Sequence, residues 1–468
     1  MKRTPISWII GMLLVFSMLL VACGGGAPAE EPAAEPTAAA ETEPTESTAT
    51  ETEPTEAAED AEDAAPTEAP ADEPTAESEA EATATPEDDA EAEGEDAATG
   101  EELTFGMVLV GPINDAGWSQ AHYEGALYAE ENVPGANFIY VDKVNPADRP
   151  NITVEQVVDD LVSQGAQFII TNSDDFKDGT REAARAHPDI PFLHISGDDA
   201  LTGEGPENLG NLMGRMYYGK MMAGCAAALQ TETGNISYLG PLINDETRRL
   251  VSATYLGARH CWENLREEKP AEELQFQVTW IGFWFNIPGV TLDPTQVAND
   301  FINAGSDVII SGIDTTEALV EANKATEAGT TVYALPYDFE GACDQAPDIC
   351  LGVPYFNWGP SYIDELEAIN AGQWESEWEW IGPNWEDIND QDTSAIGFVK
   401  GDGLTEANAA TLDEFIAGLA DGSIELYVGP LNFQDGTVYL EEGETASDEQ
   451  IWYMPQLLEG IEGQSAAE

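Results

Sequence analysis

Leu103-Thr104-Phe105-Gly106-Met107-Val108-Leu109-Val110, broken by Gly111-Pro112-Ile113-Asn114-Asp115, is the stretch that decides the fold. A short run this apolar, closed by a Gly-Pro break, reads as a buried strand. Trp118 to Asn132 then reads as a helix, and the alternation continues. Strand signals fall at 167–171, 192–195, 236–239, 278–283, 308–311 and 332–335, with helical patterns at 154–164, 216–229, 295–303 and 316–328 between them. Strands separated by helices predict an α/β fold whose parallel sheets are joined by crossover helices. The 366 residues from Leu103 onward exceed what one core normally serves, so two lobes are expected. The first takes about 103–210 and the second about 211–340, each completed by a later segment.

An internal echo supports the two lobes. Val110-Gly111-Pro112-Ile113-Asn114-Asp115 recurs as Leu239-Gly240-Pro241-Leu242-Ile243-Asn244-Asp245, one residue longer. Each copy ends a strand and opens a helix. Ligands of open α/β sheets bind at the carboxyl ends of strands, so the two turns are expected to face each other across a cleft.

The text upstream of Leu103 differs in kind. Residues 27–102 hold 28 Asp and Glu and no Lys or Arg, in near-repeats such as Thr42-Glu43-Pro44-Thr45-Glu46. Without an apolar face to bury, such a segment is expected to stay a solvated, disordered linker. As a coil it would span about 50 Å. Ahead of it, Lys2 and Arg3 precede the apolar run Ile6 to Val21, and Leu20-Val21-Ala22 leads directly to Cys23. This is a bacterial lipoprotein signal: residues 1–22 are the expected signal peptide, and Cys23 becomes the lipidated N-terminus of the 23–102 linker. The protein is therefore expected to be exported, anchored in the cell membrane through Cys23, and to face the extracytoplasmic side.

The formal net charge is −74, and from Leu103 onward 62 acids stand against 14 bases. That balance excludes nucleic acid as a partner, since phosphate recognition needs clustered Lys and Arg, and it opposes docking on anionic lipid. Enzyme signatures fail as well. His122, His187, His194 and His260 lack metal-ligand spacing, and neither His-Glu-x-x-His nor Gly-x-Ser-x-Gly occurs. Gly214 to Met221 nearly spells a P-loop, but Met221 stands where a Mg²⁺-binding hydroxyl is needed, so Lys220 is read as part of a helix start. Asp387 to Asp392 carries calcium-like ligands without the loop Gly or closing Glu, and reads as a solvated loop. No catalysis, metal or cofactor is expected.

Export places the remaining cysteines in a disulfide-permissive compartment. Of three connectivities, Cys343–Cys350 with Cys225–Cys261 is expected, the first pair because it spans a short loop and the second because its helices flank the 236–239 strand. Buried free thiols remain the alternative for Cys225 and Cys261.

Gly111-Pro112, Asp115-Ala116-Gly117-Trp118, His122 and Gly125 together resemble the opening motif of the basic membrane protein (BMP) lipoproteins, the purine nucleoside receptor type. The resemblance runs on through Trp284-Phe285, Asp314-Thr315, Asn357-Trp358-Gly359-Pro360, Tyr362 and Gly429-Pro430-Leu431, so it covers nearly all of 103–463. It implies the type I periplasmic-binding fold, two Rossmann-like lobes with a ligand cleft between them, and a monomeric substrate-binding subunit serving the permease and ATPase of an ABC importer. Two departures stand out. Asn286-Ile287-Pro288 follows Trp284-Phe285 where the family has Asp-Pro, and Gly312 and Thr315 replace the family's His and Ser around Asp314.

The expected ligand is a small aromatic solute, a purine base or nucleoside. A planar nitrogen heterocycle is matched by flat side chains and carboxylate acceptors at strand ends. Candidate ligand residues are Asp115, Trp118 and His122 after the first strand, Trp284 and Phe285 after another, Asp314, Asp338, and the pair Asn357 and Trp358. Each has a plain structural alternative: Asp115 as a helix cap, Trp284 and Phe285 as core, Asp314 in a local turn. A sugar or other polar metabolite in the same fold, or a sensor or adhesion lipoprotein without transport, are the competing functions.

Overall fold

The computed structural model describes residues 102–266 and 269–466. The signal peptide, Cys23 and the acidic segment to residue 101 lie outside the described residues. From Leu103 the chain runs β1 (Leu103–Val108), α1 (Trp118–Asn132), β2 (Ala136–Val141), α2 (Val154–Ser163), β3 (Phe168–Thr171), α3 (Lys177–Ala186), β4 (Phe192–Ile195), α4 (Asp199–Thr202) and β5 (Leu209–Gly214). It continues with α5 (Tyr217–Gln230), β6 (Asn235–Gly240), α6 (Asp245–Leu265), β7 (Gln275–Trp280), α7 (Pro294–Asn303), β8 (Val308–Ser311), α8 (Glu317–Glu327) and β9 (Tyr333–Leu335). The last part holds β10 (Gly352–Phe356), α9 (Gly359–Asn370), β11 (Trp378–Ile381), β12 (Ile396–Lys400), α10 (Glu406–Asp421), β13 (Leu431–Asn432), β14 (Val438–Leu440), α11 (Asp448–Trp452) and β15 (Ile461–Glu462).

Among the described residues, two sheets are wholly parallel, ordered β11-β5-β4-β3-β1-β2 and β15-β7-β6-β8-β9. Each has helices for crossovers, as an apolar strand buried on both faces requires; every residue of β3 and of β8 is buried. The later segments complete both sheets, β11 at one edge and β15 at the other, while β10 and β12 pair antiparallel. β1 and β6 occupy matching places: the chain proceeds to one side of each and then to the other. These are the topological switch points, and the Gly-Pro…Asn-Asp echo falls directly after both.

Helix starts follow local chemistry. Thr153 and Asn244 cap α2 and α6 through reciprocal capping boxes, and Asp293 with Pro294 opens α7. The near P-loop is a strand end and a helix start, with Gly214 closing β5 and α5 beginning at Tyr217. Asp387 and Asp390 accept the amides of Asn389 and Asp392, two Asx turns in a loop. Cys225 of α5 is joined to Cys261 of α6, and Cys343 to Cys350. No described helix is long and apolar enough to cross a membrane.

One expected strand moves. The run 278–283 is apolar apart from Thr279 and Gly282, but β7 ends at Trp280, where it pairs with Gly240. Beyond that, Ile281 and Gly282 donate to the carbonyls of Gly240 and Pro241 and the chain leaves the sheet. The turn carries Trp284 toward the carboxyl ends of the strands.

Candidate functional site

The cleft lies where both sheets present those carboxyl ends. The first lobe supplies Trp118, Ser173, Asp174 and Ser196; the second supplies Glu246, Trp284, Asp314, Tyr337 and Asp338. Trp118 opens α1 and is pinned by its indole N–H, which donates to the Asn172 carbonyl past β3 at 2.5 Å. Phe356 and Trp358 pack edge-on against the same ring, with centroids at 5.2 and 5.5 Å. Across the cleft, Asp314 follows β8 and its amide donates to the Trp284 carbonyl at 2.9 Å, tying the aromatic wall to the acidic one. The lobes touch: a Cβ at Gly117 would collide with the Asp314 carbonyl, so only glycine permits this approach. Asn244 also donates to Asp174 across the gap, at 3.3 Å. The slot has a cavity volume of only about 20 Å³. The cleft is nearly shut.

Asp338 is the strained member. It stands past β9 with φ of 73°, a left-handed conformation that costs a non-glycine residue on the order of 1 kcal/mol or more. Two backbone bonds hold it there, its amide donating to Pro354 at 3.2 Å and the Phe356 amide donating to its carbonyl at 3.1 Å. The side chain is fully buried, and neither carboxylate oxygen has a hydrogen-bond partner.

Electrostatics set the character of the slot. Burial pushes the Asp314 carboxyl well above the usual carboxylate range, reinforced by Asp338, Asp115 and Glu246. Burial does the same to Asp338, opposed by the Lys220 ammonium and reinforced by Asp115 and Glu246. Glu246 is lifted to about 7 by burial, against the pull of Arg249. Carboxyls crowded in this way share protons, so the slot offers both O–H donors and carboxylate acceptors near neutral pH. Among the described residues, no Lys or Arg lines it.

Residues 103–260 match the family model Bmp, described as PnrA-like ABC transporter substrate-binding protein. Over these residues the chain is similar to the Bmp family. It is 25% identical over 366 residues to a purine-binding protein of Brucella abortus, spanning 77% of this chain and 93% of that one. It is 28% identical over 292 residues to a candidate ABC transporter glucose-binding protein of Haloferax volcanii, spanning 62% of this chain and 67% of the other. Among solved structures, an ABC transporter solute-binding protein of Aeropyrum pernix superposes with a TM-score of 0.55 at 13% identity, over 69% of this chain and 92% of that one. That likeness is one of fold, the type I periplasmic-binding architecture. The proteins matched here are substrate-binding proteins of ABC transporters.

The structure brings Trp118, Trp284, Asp314 and Asp338 together in the slot, and places the other candidates elsewhere. Asp115 caps α1, accepting the amides of Gly117, Ser119 and Gln120 at 2.9 to 3.0 Å, while burial lifts its carboxyl to about 6. His122 and Trp358 stack at 4.3 Å behind Trp118, and His122 Nδ1 meets the Tyr362 hydroxyl at 2.5 Å. Burial holds His122 well below its ordinary pKa, hence neutral. Phe285 packs edge-on against Phe283, and the Asn357 amide donates to the carbonyls of Gln391 and Ser394. Sequence reasoning did not name Ser173, Asp174, Ser196, Glu246 or Tyr337. A signal existed: each follows a parallel strand or opens the helix after one, and Glu246 stands next to the second copy of the echo.

Proposed function

We propose that this protein is a lipid-anchored, monomeric receptor of the Bmp type that captures a purine base or nucleoside between its lobes and passes it to the permease and ATPase of an ABC importer. The observation that carries the reading is the slot itself, where indole and phenol rings meet carboxyl groups and the buried Asp338 oxygens lack any donor. A purine supplies two π-faces for the rings and N–H groups for the carboxyls. The purine-binding relative points the same way. Calorimetric titration with adenine, adenosine and guanosine tests it, beside mass spectrometry of ligand released from natively purified protein. Asp314→Ala should fold normally and lose about 10- to 150-fold in affinity, the worth of one charge-assisted hydrogen bond. Wild-type protein that binds none of the three removes the purine assignment.

A second reading is favoured by the glucose-binding relative. Sugar hydroxyls are also donors to buried carboxyls, and the same titration with glucose decides between them. For the anchor, Cys23→Ala should move the protein from the membrane fraction to the soluble one.

A further inference from the structure

The C-terminal segment belongs to the second lobe yet leans on the first. Arg248 of α6 donates to the carbonyls of Met454 and Ser465 at 2.7 and 3.0 Å, Arg249 donates to that of Trp452 at 3.2 Å, and β15 then joins β7. Facing the other way, Asp448 of α11 accepts from both Nη groups of Arg215, at 2.7 and 2.5 Å. The Trp452 ring meets Trp378 and Trp380 of β11, the edge strand of the first sheet, with centroids at 4.9 and 5.1 Å. The Tyr453 hydroxyl donates at 3.0 Å to Asp198, just past β4, which also holds the Lys177 ammonium. Arg215 stands in the crossover from β5 to α5, where the lobes join, so its pair with Asp448 marks a pivot. Trp452 and Tyr453 instead reach the mouth of the cleft, where they line a cavity of about 140 Å³ that shares Asp174, Ser196 and Glu246 with the slot. The buried Arg249 ties these parts together: its Cζ is 4.3 Å from the Trp452 centroid and 5.6 Å from that of Trp380, and its Nη2 is 3.9 Å from Glu246.

We propose, resting on the reading of the protein as a receptor that captures a solute between its lobes, that Trp452 and Tyr453 are positioning residues for capture: together they clasp the first lobe in the closed form and set the release rate. A solute leaves only when the lobes part. Parting them breaks the Tyr453–Asp198 bond and uncovers the Trp452 indole, which is 5% exposed. Contacts made only in the closed form slow its opening and lengthen the stay of whatever is inside, with no contact to it. Neither residue lines the slot, so the clasp governs how long a solute stays and not which solute enters.

The test measures stopped-flow association and release of guanosine or adenosine, whichever the wild type binds, on full-length wild type, Tyr453→Phe and Trp452→Phe. Tyr453→Phe removes one hydrogen bond between the lobes and should release roughly three- to tenfold faster. Trp452→Phe keeps a ring but shortens its reach to Trp378 and Trp380, and should release about threefold faster or more. Association should stay equal or rise in both, because the open form is the one that admits solute. A variant that only folded poorly would lose binding-competent protein while the remainder kept the wild-type release rate. In an Asp198→Ala background, Tyr453→Phe should add nothing. Release at the wild-type rate in either variant, slowed association, or an undiminished effect of Tyr453→Phe without Asp198 overturns the proposal. If wild type binds neither nucleoside, it is the purine reading that fails, and the clasp is judged without ligand. Spin labels attached through Ile152→Cys and Val290→Cys, exposed positions after β2 and β7 on opposite lobes, then report their separation by pulsed dipolar spectroscopy. Tyr453→Phe should shift that distribution to longer distances; a distribution identical to wild type overturns the proposal.

Discussion

Glu246 opens α6 on the second-lobe wall of the cleft and is only 8% exposed. Burial lifts its carboxyl from the ordinary 4.5 to about 7, despite Arg249 with Nη2 at 3.9 Å and with a further push from Asp174. A carboxyl raised on folding binds its proton more tightly in the folded protein than in the unfolded chain. Its contribution to stability is therefore best below pH 4.5 and declines as the pH rises toward 7. At 1.36 kcal/mol for each tenfold difference in proton affinity, the decline is complete by pH 8 at ~3 kcal/mol. Glu246→Gln keeps the size and cannot ionise. It should gain about 1 kcal/mol over wild type at pH 5 and ~3 kcal/mol at pH 8. With an unfolding entropy of roughly 0.8 kcal/mol/K for a folded part of this length, the gain at pH 8 is ~4 °C in melting midpoint. Differential scanning calorimetry of ligand-free protein at both pH values measures it. A variant that melts below wild type at pH 8, or whose advantage is the same at both, would show that Glu246 is not held under strain in the cleft.

Gly117→Ala should keep the lobes from meeting at Asp314, so that a tenfold loss of the closed population appears as about tenfold weaker ligand binding with the ligand-free melting midpoint little changed. Affinity equal to wild type would mean the contact is not needed for capture. With 62 acids against 14 bases from Leu103 onward, the midpoint should rise between low and about 1 M salt as self-repulsion is screened; an unchanged or falling midpoint contradicts this. Paired replacement Cys225→Ser with Cys261→Ser opens a loop of sequence separation 36, and denaturant titration should show a loss of about 4 kcal/mol.

What the sequence made legible was local. The ends of α1, β4 and β8 follow from apolar runs bounded by breaks, and those bounds coincide with the structure. β7 shows the limit. Ile281, Phe283, Trp284 and Phe285 continue its apolar run, yet they leave the sheet and Trp284 comes to line the cleft, and hydrophobicity does not distinguish burial in a sheet from burial against a slot. Acidic residues were ambiguous for a related reason. Asp115 and Asp314 both stand just after a strand, but one spends its oxygens on three amides of its own helix and the other faces the slot. In a chain this rich in acids, Asp174 and Glu246 look like solvated loop residues until the second lobe is placed opposite the first.

Gly312 shows how a departure from a family pattern is explained by a strand other than its own. It stands two residues before Asp314, where the family has His. In the structure any side chain at 312 would run into the Tyr238 ring, which comes from β6 in the middle of the second sheet. The volume is therefore filled by a neighbouring strand, and what fills it is one of the two rings beside Lys220. The change belongs first to the floor under Asp338. A glycine there permits the tyrosine, and the tyrosine and Tyr337 receive the buried Lys220 ammonium. The sequence difference is thus accounted for by packing beneath the slot, which no motif at Asp314 could have displayed.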